Sequence, residues 1–392
     1  MTCSGATLNQ GPEANTGYGS GLQNGLTINV PSAASVTGTG IGIDVGSKNT
    51  VNNLGTVTTA GNGLIGDVFG VQGNGANLTV NNSGTIGRLD IPNNLIDLAG
   101  INAQDTGLMV TNNVGATIQG TVGIQGIGTG TVVNSGLITG LTGGGGGEGI
   151  DFAANNTSVV TVTNNVGGMI TGDANGINAN SAIVNNYGTI SAPTFGGGGI
   201  ALNANTLVLT NYASGLITGD AFGVTGSQTP NLTITNFGTI SATGLGGIAI
   251  QGNVVNIVNS GTISASSGGG ALSAISNTSG SITNNAGGLI TSDSVAISAF
   301  GNTSVFNAGT ITGGGGTAIT FLSGGNTLTL APGSVINGTA HGFGADTFQL
   351  GGTGTASFDA GLLATQLSGY ATFNKIGGSI WTLTGSNATA MP

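Results

Sequence analysis

Charged residues, cysteine and aromatic residues are scarce in this sequence of 392 residues. Only 4% of the residues are charged, 4% are aromatic, and there is a single Cys. Nucleic-acid binding requires clustered Lys and Arg against the phosphates, whereas the three cations, Lys48, Arg88 and Lys375, are scattered. Cys3 by itself forms no internal disulfide. These absences exclude nucleic acid as a partner and exclude a disulfide-stabilised fold.

Long apolar runs are absent as well. No stretch approaches the roughly 18 consecutive apolar residues that indicate a transmembrane helix. The start, MTCSGATLNQ, has neither the basic region nor the apolar region of a signal peptide. We therefore expect either a protein that is not exported or a chain from which a targeting segment has been removed.

Residue types that carry catalysis or bind metals are also few. One His and one Cys cannot supply the three or four ligands of a zinc site of that type. His341 begins HGFGADTFQ, a near-match to a calcium-binding nonapeptide that requires tandem copies, and only one copy is present. We therefore expect no catalytic residue, no cofactor and no metal.

Four acids in equivalent positions are the best candidates for an alternative, carbohydrate-active function. They are Asp67, Asp173, Asp220 and Asp293. Glycoside cleavage needs two carboxylates across the bond, and Asp173 and Asp220 are predicted to lie two turns of the repeat apart. No Lys or Arg recurs beside these acids. The pattern is more typical of solvated Asp residues at corners than of a polysaccharide lyase or hydrolase.

Glycine is abundant, with 80 residues, and a repeat runs through most of the chain. An Asn, a short spacer with Gly and then Ile or Val recur eleven times between residues 53 and 307, ten intervals over 254 residues, or about 25 residues each. We predict that the Asn side chains form a ladder. The predicted ladder comprises Asn53, Asn82, Asn113, Asn134, Asn165, Asn186, Asn211, Asn236, Asn259, Asn285 and Asn307.

Each period contains three short apolar segments separated by Gly-rich corners. The first segment ends at the Asn, as in LTITN from Leu232. The second follows the Asn and contains an aliphatic residue such as Ile240, and the third is represented by GIDF around Ile150. Alternation of β-branched residues favours strands over helices. The sequence therefore predicts an all-β fold, a right-handed parallel β-helix (a solenoid) of about 11–13 coils with a C-terminal β cap.

The repeat sets the predicted domain organisation. Residues 1–50 form an N-terminal cap and a first irregular coil, residues 51–325 form the β-helix repeats, and residues 326–392 form a C-terminal capping segment. An Asn suits a sharp corner because it tolerates left-handed backbone angles and bonds to nearby backbone groups. The Gly that follows supplies either a positive φ or room for the next coil. The Asn column is therefore interpreted as structural.

The C-terminal segment resembles a known family. FNKIGGSIWTLTG is similar to the end of autotransporter passenger domains, just before the outer-membrane barrel, and ADTFQLGGTGTASFD is similar to what precedes it there. The matching cap residues are Phe373, Lys375, Gly378, Trp381, Leu383 and Gly385. The resemblance implies type V secretion, with a folding nucleus in this autochaperone-like segment.

The resemblance also implies a place and a role. We expect a non-enzymatic β-helical passenger, a stalk or an adhesin, at the cell surface of a Gram-negative bacterium or secreted from it. An outer-membrane β-barrel translocator is the expected partner, although neither a barrel nor a signal peptide is present in this sequence. Two alternatives stay open: the carbohydrate-active β-helix and a structural rod that self-associates weakly.

Overall fold

The computed structural model describes residues 1–13, 15–60, 68–88, 98–140, 147–193, 198–226, 230–266 and 272–386. The fold is all-β, with 64% of the residues in strands. In these ranges the helical structure is a short 3-10 helix, Ala360–Ala364. The chain divides into two compact units. Unit 1 is Met1–Thr194, Gly198–Thr206 and Ser214–Leu216, and unit 2 is Phe195–Gly197, Leu207–Ala213 and Ile217–Pro392.

Unit 1 is a parallel β-solenoid whose strands line three faces. Face A holds the strands that precede the repeat Asn: β3 (Thr27–Val30), β6 (Thr50–Asn53), β9 (Thr79–Asn82), β12 (Leu108–Asn112), β15 (Thr129–Asn134), β18 (Val159–Asn164) and the second half of β20 (Asn175–Asn186). Face B follows it: β1 (Ala6–Leu8), β4 (Ser35–Gly38), β7 (Thr56–Thr59), β10 (Thr85–Gly87), β13 (Thr117–Gly120), β16 (Leu137–Gly140), β19 (Met169–Gly172) and β21 (Thr189–Ala192). Face C completes each turn: β2 (Thr16–Gly19), β5 (Ile41–Val45), β8 (Val68–Gly73), β11 (Leu98–Ala103), β14 (Val122–Gly126), β17 (Glu148–Phe152), the first half of β20 and the start of β22 (Ile200–Asn211).

Unit 2 has the same three faces. Its face A holds the end of β22, β25 (Asn231–Asn236), the second halves of β27 (Ile248–Asn259) and β29 (Ser273–Asn284), β32 (Thr303–Asn307), β34 (Thr327–Leu330) and the ends of β35 (Val335–Leu350) and β37 (Leu367–Lys375). Face B holds β23 (Leu216–Gly219), β26 (Thr239–Ala242), β28 (Thr262–Ala265), β30 (Leu289–Ser292) and the starts of β33 (Thr310–Phe321) and β35. Face C holds β24 (Phe222–Thr225), the starts of β27 and β29, β31 (Val295–Ala299), the end of β33, the middle of β35 and the start of β37. A separate parallel pair is β36 (Thr355–Asp359) with β38 (Ile380–Thr384).

Aliphatic columns form the core because the side chains of each strand alternate in direction and register-matched residues stack. On face B of unit 1, for example, Ile86, Ile118 and Ile138 are register partners in successive turns, and all three are fully buried. Each such Ile contributes about 1.5–3 kcal/mol when it is taken out of water. One turn alone would leave this surface exposed, so the turns stabilise one another.

The prediction of an all-β parallel solenoid is confirmed, with about 14 turns rather than 11–13. The additional turns lack the Asn by which turns are counted in the sequence. Val30 pairs with Asn53 in unit 1, and Leu330 pairs with Asn307 in unit 2, so apolar residues occupy the ladder position there. Parallel strands occur before residue 50 and after residue 325, and the predicted boundaries at these residues stay predictions.

Candidate functional site

Buried Asn side chains form a continuous ladder in each unit. Nδ2 of each donates to Oδ1 of the next at 2.8 or 2.9 Å. In unit 1 the ladder is Asn53, Asn82, Asn112, Asn134, Asn164 and Asn186, and in unit 2 it is Asn211, Asn236, Asn259, Asn284 and Asn307.

The amide of Asn134 illustrates how fully each ladder residue is bonded. Its Nδ2 donates to Asn164 Oδ1 at 2.8 Å and to the backbone oxygens of Gly136 and Met169 at 3.1 Å. Its Oδ1 accepts from Asn112 Nδ2 at 2.9 Å and from Gly136 N at 3.2 Å. Both N–H groups and both acceptor positions of the amide are occupied, so these contacts explain the repeated Asn by structure alone.

The ladder position at three turns differs from the prediction. Asn113, Asn165 and Asn285 were placed on the ladder, but the structure places the preceding residues, Asn112, Asn164 and Asn284, there. In these turns β12, β18 and β29 end at the first Asn of the pair, and the corner before the next strand is longer than the corners after Asn82 and Asn186, so the second Asn falls outside the strand. Its Nδ2 instead donates to a serine Oγ of the preceding turn, in the pairs Asn113–Ser83, Asn165–Ser135 and Asn285–Ser260, at 2.7–2.9 Å.

The Gly of the motif is required for space. A Cβ on Gly136 would collide with the backbone oxygens of Ala116 and Asn113, which belong to the preceding turn. Gly136 does not have a positive φ, whereas Gly115, in one of the longer corners, has a φ of 78°. Of the two explanations left open by the sequence, close approach applies at Gly136 and left-handed backbone applies at Gly115.

The candidate carboxylates of the carbohydrate-active alternative are divided between the two units. Asp173 belongs to unit 1, Asp220 and Asp293 belong to unit 2, and Asp67 lies outside the described residues. Asp173 follows the end of β19, Asp220 follows β23, and Asp293 follows β30. The three described acids are therefore at corners after face B, as the repeat predicts, each in its own turn.

Asp346, in the segment that resembles a calcium nonapeptide, is fully buried and bonded to the protein. Its Oδ1 accepts from Asn326 N at 2.8 Å and from Asn326 Nδ2 at 3.1 Å, and its Oδ2 accepts from Phe343 N at 2.6 Å. His341 Nδ1 lies 2.8 Å from Ser368 Oγ. These bonds give Asp346 a structural role in which it holds the bulge of β35 between His341 and Asp346.

The C-terminal segment of unit 2 ends in an aromatic cluster, Phe348, Phe358, Tyr370 and Phe373. Phe348 and Phe373 are register partners, and their rings stack at 5.5 Å with an interplanar angle of 12°. The ring of Phe358 lies 5.4 Å from that of Phe348. This cluster continues the core column with larger side chains.

The other predicted cap residues lie around this cluster. Trp381 Nε1 donates to Gly351 O at 3.3 Å, and Lys375 Nζ donates to the backbone oxygens of Ile376 and Gly377 at 2.9 and 3.0 Å. Gly385 has a φ of 70°. Gly378 has open space around its Cα, and Leu383 is 57% exposed. Phe373 and Trp381 are thus packed, whereas Leu383, the register partner of Phe358, is mostly exposed.

Face C of unit 1 carries a polar column that the sequence analysis missed. Register places Asp44, Gln72, Asn102, Gln125, Asp151 and Asn178 at the same position in successive turns. Asn203 Nδ2 donates to Asn178 Oδ1 at 3.0 Å, and Asn178 Nδ2 donates to Asp151 Oδ1 at 3.1 Å. The signal in the sequence was the polar residue after each Gly-Ile or Gly-Val pair.

Two carboxyl groups on β17, Glu148 and Asp151, are partly buried in this face. Burial, and then the charge of Asp151, raise the pKa of Glu148 to about 7, and a hydrogen bond from Asn175 opposes the rise. Burial also raises the pKa of Asp151, against hydrogen bonds from Ala153 N and the side chains of Asn178 and Gln125. These two acids and the amides beside them form the candidate site.

Asp44 is a third buried acid, at the other end of the same column. Burial, and then the charge of Glu13, raise its pKa to about 6, and the hydrogen bond from Asn74 Nδ2 at 2.7 Å opposes the rise. Asn74 Oδ1 in turn accepts from Gln72 Nε2 at 2.8 Å. The amides around Asp44 therefore donate toward the carboxyl group.

No protein-family model matches the chain, and no curated protein and no solved structure matches it. Within the ranges given above, no helix has the length and hydrophobicity needed to cross a membrane. The same ranges contain no group of three or more His, Cys, Asp and Glu side chains placed around one point.

Proposed function

We propose that the chain is a non-enzymatic passenger of the autotransporter type, a stalk or an adhesin displayed at the surface of a Gram-negative cell or released from it. The fold class is a parallel β-solenoid. Each repeated turn of such a fold adds surface, which suits a stalk or an adhesin. The proposed partner is an outer-membrane β-barrel translocator.

The observation that carries the proposal is the aromatic cluster in the last turns of unit 2. Phe348 is fully buried and stacks on Phe373, where the aliphatic column of the repeat changes to large aromatic side chains. Aromatic residues bury more area per residue than Ile or Val. We expect this end to be more stable than the repeat, which would suit a passenger whose C-terminal turns fold first outside the cell and draw the rest through a barrel.

The proposal is tested by asking whether the chain is secreted through a barrel. The chain is fused between a signal peptide and an autotransporter barrel, and intact Gram-negative cells are treated with external protease. We expect the folded passenger to be accessible at the surface. Phe348→Ala should reduce display, whereas Phe343→Ala, at a residue 64% exposed, should leave display unchanged. Retention of the wild-type chain in the periplasm, while a control passenger on the same barrel is displayed, would contradict the proposal.

A further inference from the structure

A column of apolar residues at the start of the face C strands is interrupted in unit 1. Register partners in four successive turns are Ile41, Phe69, Ala99 and Val122, and the last three pack as a buried cluster. The next two turns place Glu148 and then Asn175 in this column. An acid and an amide at positions where neighbouring turns place apolar residues break the local pattern, and such breaks are expected at functional sites.

The interruption belongs to a group of four oxygen-bearing side chains on two adjacent turns, which we name the carboxyl block. Glu148 and Asp151 lie on β17, in EGID, and their register partners Asn175 and Asn178 lie on β20, in NGIN. Adjacent rungs of a sheet are about 4.8 Å apart. The block therefore places two carboxylates and two amides on adjacent turns of face C, where the charge of Asp151 is near enough to raise the pKa of Glu148.

One acceptor in the block has no donor. Asn175 is only 9% exposed, and its Nδ2 lies 3.5 Å from Glu148 Oε1, so the amide is directed at the acid. Its Oδ1 is buried and makes no hydrogen bond. A buried acceptor without a donor is unfavourable, and buried carboxylates without a positive partner are more so. The block as it stands lacks positive charge.

The protein itself does not supply that charge. Unit 1 contains two basic residues, Lys48 and Arg88, and both belong to other turns: Lys48 follows β5 and Arg88 follows β10. The chain as a whole has 13 acids and 3 basic residues. A cation from solution is therefore the natural counter-ion for the block.

We propose that the carboxyl block binds a calcium ion. Calcium takes carboxylate and amide oxygens in flexible geometry, whereas magnesium demands a near-ideal octahedron and keeps its waters. Two carboxylates would neutralise the ion, and Asn175 Oδ1 would gain a partner. Asp151 Oδ1 already accepts from Ala153 N at 3.0 Å and from Asn178 Nδ2 at 3.1 Å, which holds the carboxylate in position as outer hydrogen bonds do at metal sites. This inference departs from the sequence-based expectation of no metal.

The test is a calorimetric titration of the full chain, freed of metal by chelation, with calcium chloride alone. We expect one site with a dissociation constant of about 10⁻⁴–10⁻³ M, as in extracellular calcium modules. Glu148→Gln and Asp151→Asn keep the side-chain shapes and should each weaken binding at least about tenfold. Asp105→Asn, at an exposed acid of the same unit, should leave binding unchanged.

Asn175→Leu separates ligand binding from folding. It restores the apolar column, so we expect weaker calcium binding together with an unfolding midpoint in chelator that is no lower than that of the wild type. Three results would each overturn the proposal. The first is no heat of calcium binding up to about 10 mM, a concentration well above the expected dissociation constant. The others are equal calcium affinity in the wild type and both acid variants, and magnesium binding as tight as calcium binding. None of these results bears on surface display, which the barrel fusion tests separately.

Discussion

At the scale of the residue, the same side chain has different roles in neighbouring positions. Asn134 is fully buried and saturated by hydrogen bonds along the ladder, whereas Asn113 is exposed and its Nδ2 donates to Ser83 Oγ. Removing a buried partner leaves other groups without a bond, while water replaces an exposed one. The two positions therefore differ in energetic weight although both belong to the repeat.

We predict that Asn134→Ala lowers the free energy of unfolding by about 2–4 kcal/mol, because Asn112 Nδ2 and Asn164 Oδ1 lose their partner. Asn113→Ala should cost less than about 0.5 kcal/mol, as is usual for surface changes. The measurement is the urea midpoint followed by far-UV circular dichroism. Equal shifts for the two variants would show that the ladder contributes no more than a surface contact.

Asp44 is expected to make stability depend on pH. The pKa of an ordinary Asp is about 3.8, and burial raises the pKa of Asp44 in the folded chain to about 6. The folded state thus holds the proton more tightly, and this contribution, full below about 3.8, is lost as the pH rises from about 4 to about 6.

We predict that Asp44→Asn, which still accepts from Asn74, raises stability at pH 7 by about 1–2 kcal/mol, a figure reduced for solvent screening, and has little effect at pH 4. Thermal midpoints measured across this range check it. A gain of the same size at both pH values would contradict an electrostatic origin.

At the scale of the element, the C-terminal strands differ from the repeat in what they bury. In one column of face A, the turns of the repeat bury Val305 and then Leu328, whereas β35 and β37 stack Phe348 on Phe373, and β36 adds Phe358. Offset and stacked rings are favourable beyond their buried area. The end of unit 2 should therefore depend strongly on a few large side chains.

We predict that Phe348→Ala costs about 3–5 kcal/mol, since it leaves a cavity among the other rings. Phe343→Ala, at an exposed residue of the same strand, should cost less than about 0.5 kcal/mol. Chemical denaturation followed by near-UV circular dichroism, which reports the packed rings, distinguishes them. A small effect at Phe348 would mean that the aromatic cluster is not a source of stability.

At the scale of the whole molecule, a low density of charge with one dominant sign is the main feature. The formal net charge is −10 at pH 7, and the isoelectric point is about 4.1. Repulsion between like-charged molecules opposes association, while unpaired strand edges, where they are exposed, favour it.

We predict that the purified chain is monomeric at pH 7 and associates near pH 4, where its net charge approaches zero. Sedimentation velocity at both pH values, over a range of concentrations, is the measurement. Association that is equally extensive at pH 7 would favour the alternative of a self-associating structural rod.

Much of the fold could be predicted from local patterns. Ile86 and Ile118 could be identified as core residues because alternation within a strand and recurrence between turns both mark them. The number of turns was underestimated because Val30 and Leu330 occupy ladder positions without the Asn that marks a turn. The ladder was misplaced at Asn113, Asn165 and Asn285 because a sequence pattern cannot say which of two adjacent Asn residues ends the strand.

The sequence by itself determined that this protein is a stack of short parallel strands, because a 25-residue period with alternating β-branched residues can bury its apolar side only by stacking. Only the tertiary structure decided which polar side chains meet. Glu148 and Asn175 come from different turns, separated by corners of variable length, and their contact depends on register between strands. A one-residue slip would turn either side chain to the other face, so the carboxyl block could not be predicted from the order of residues along the chain.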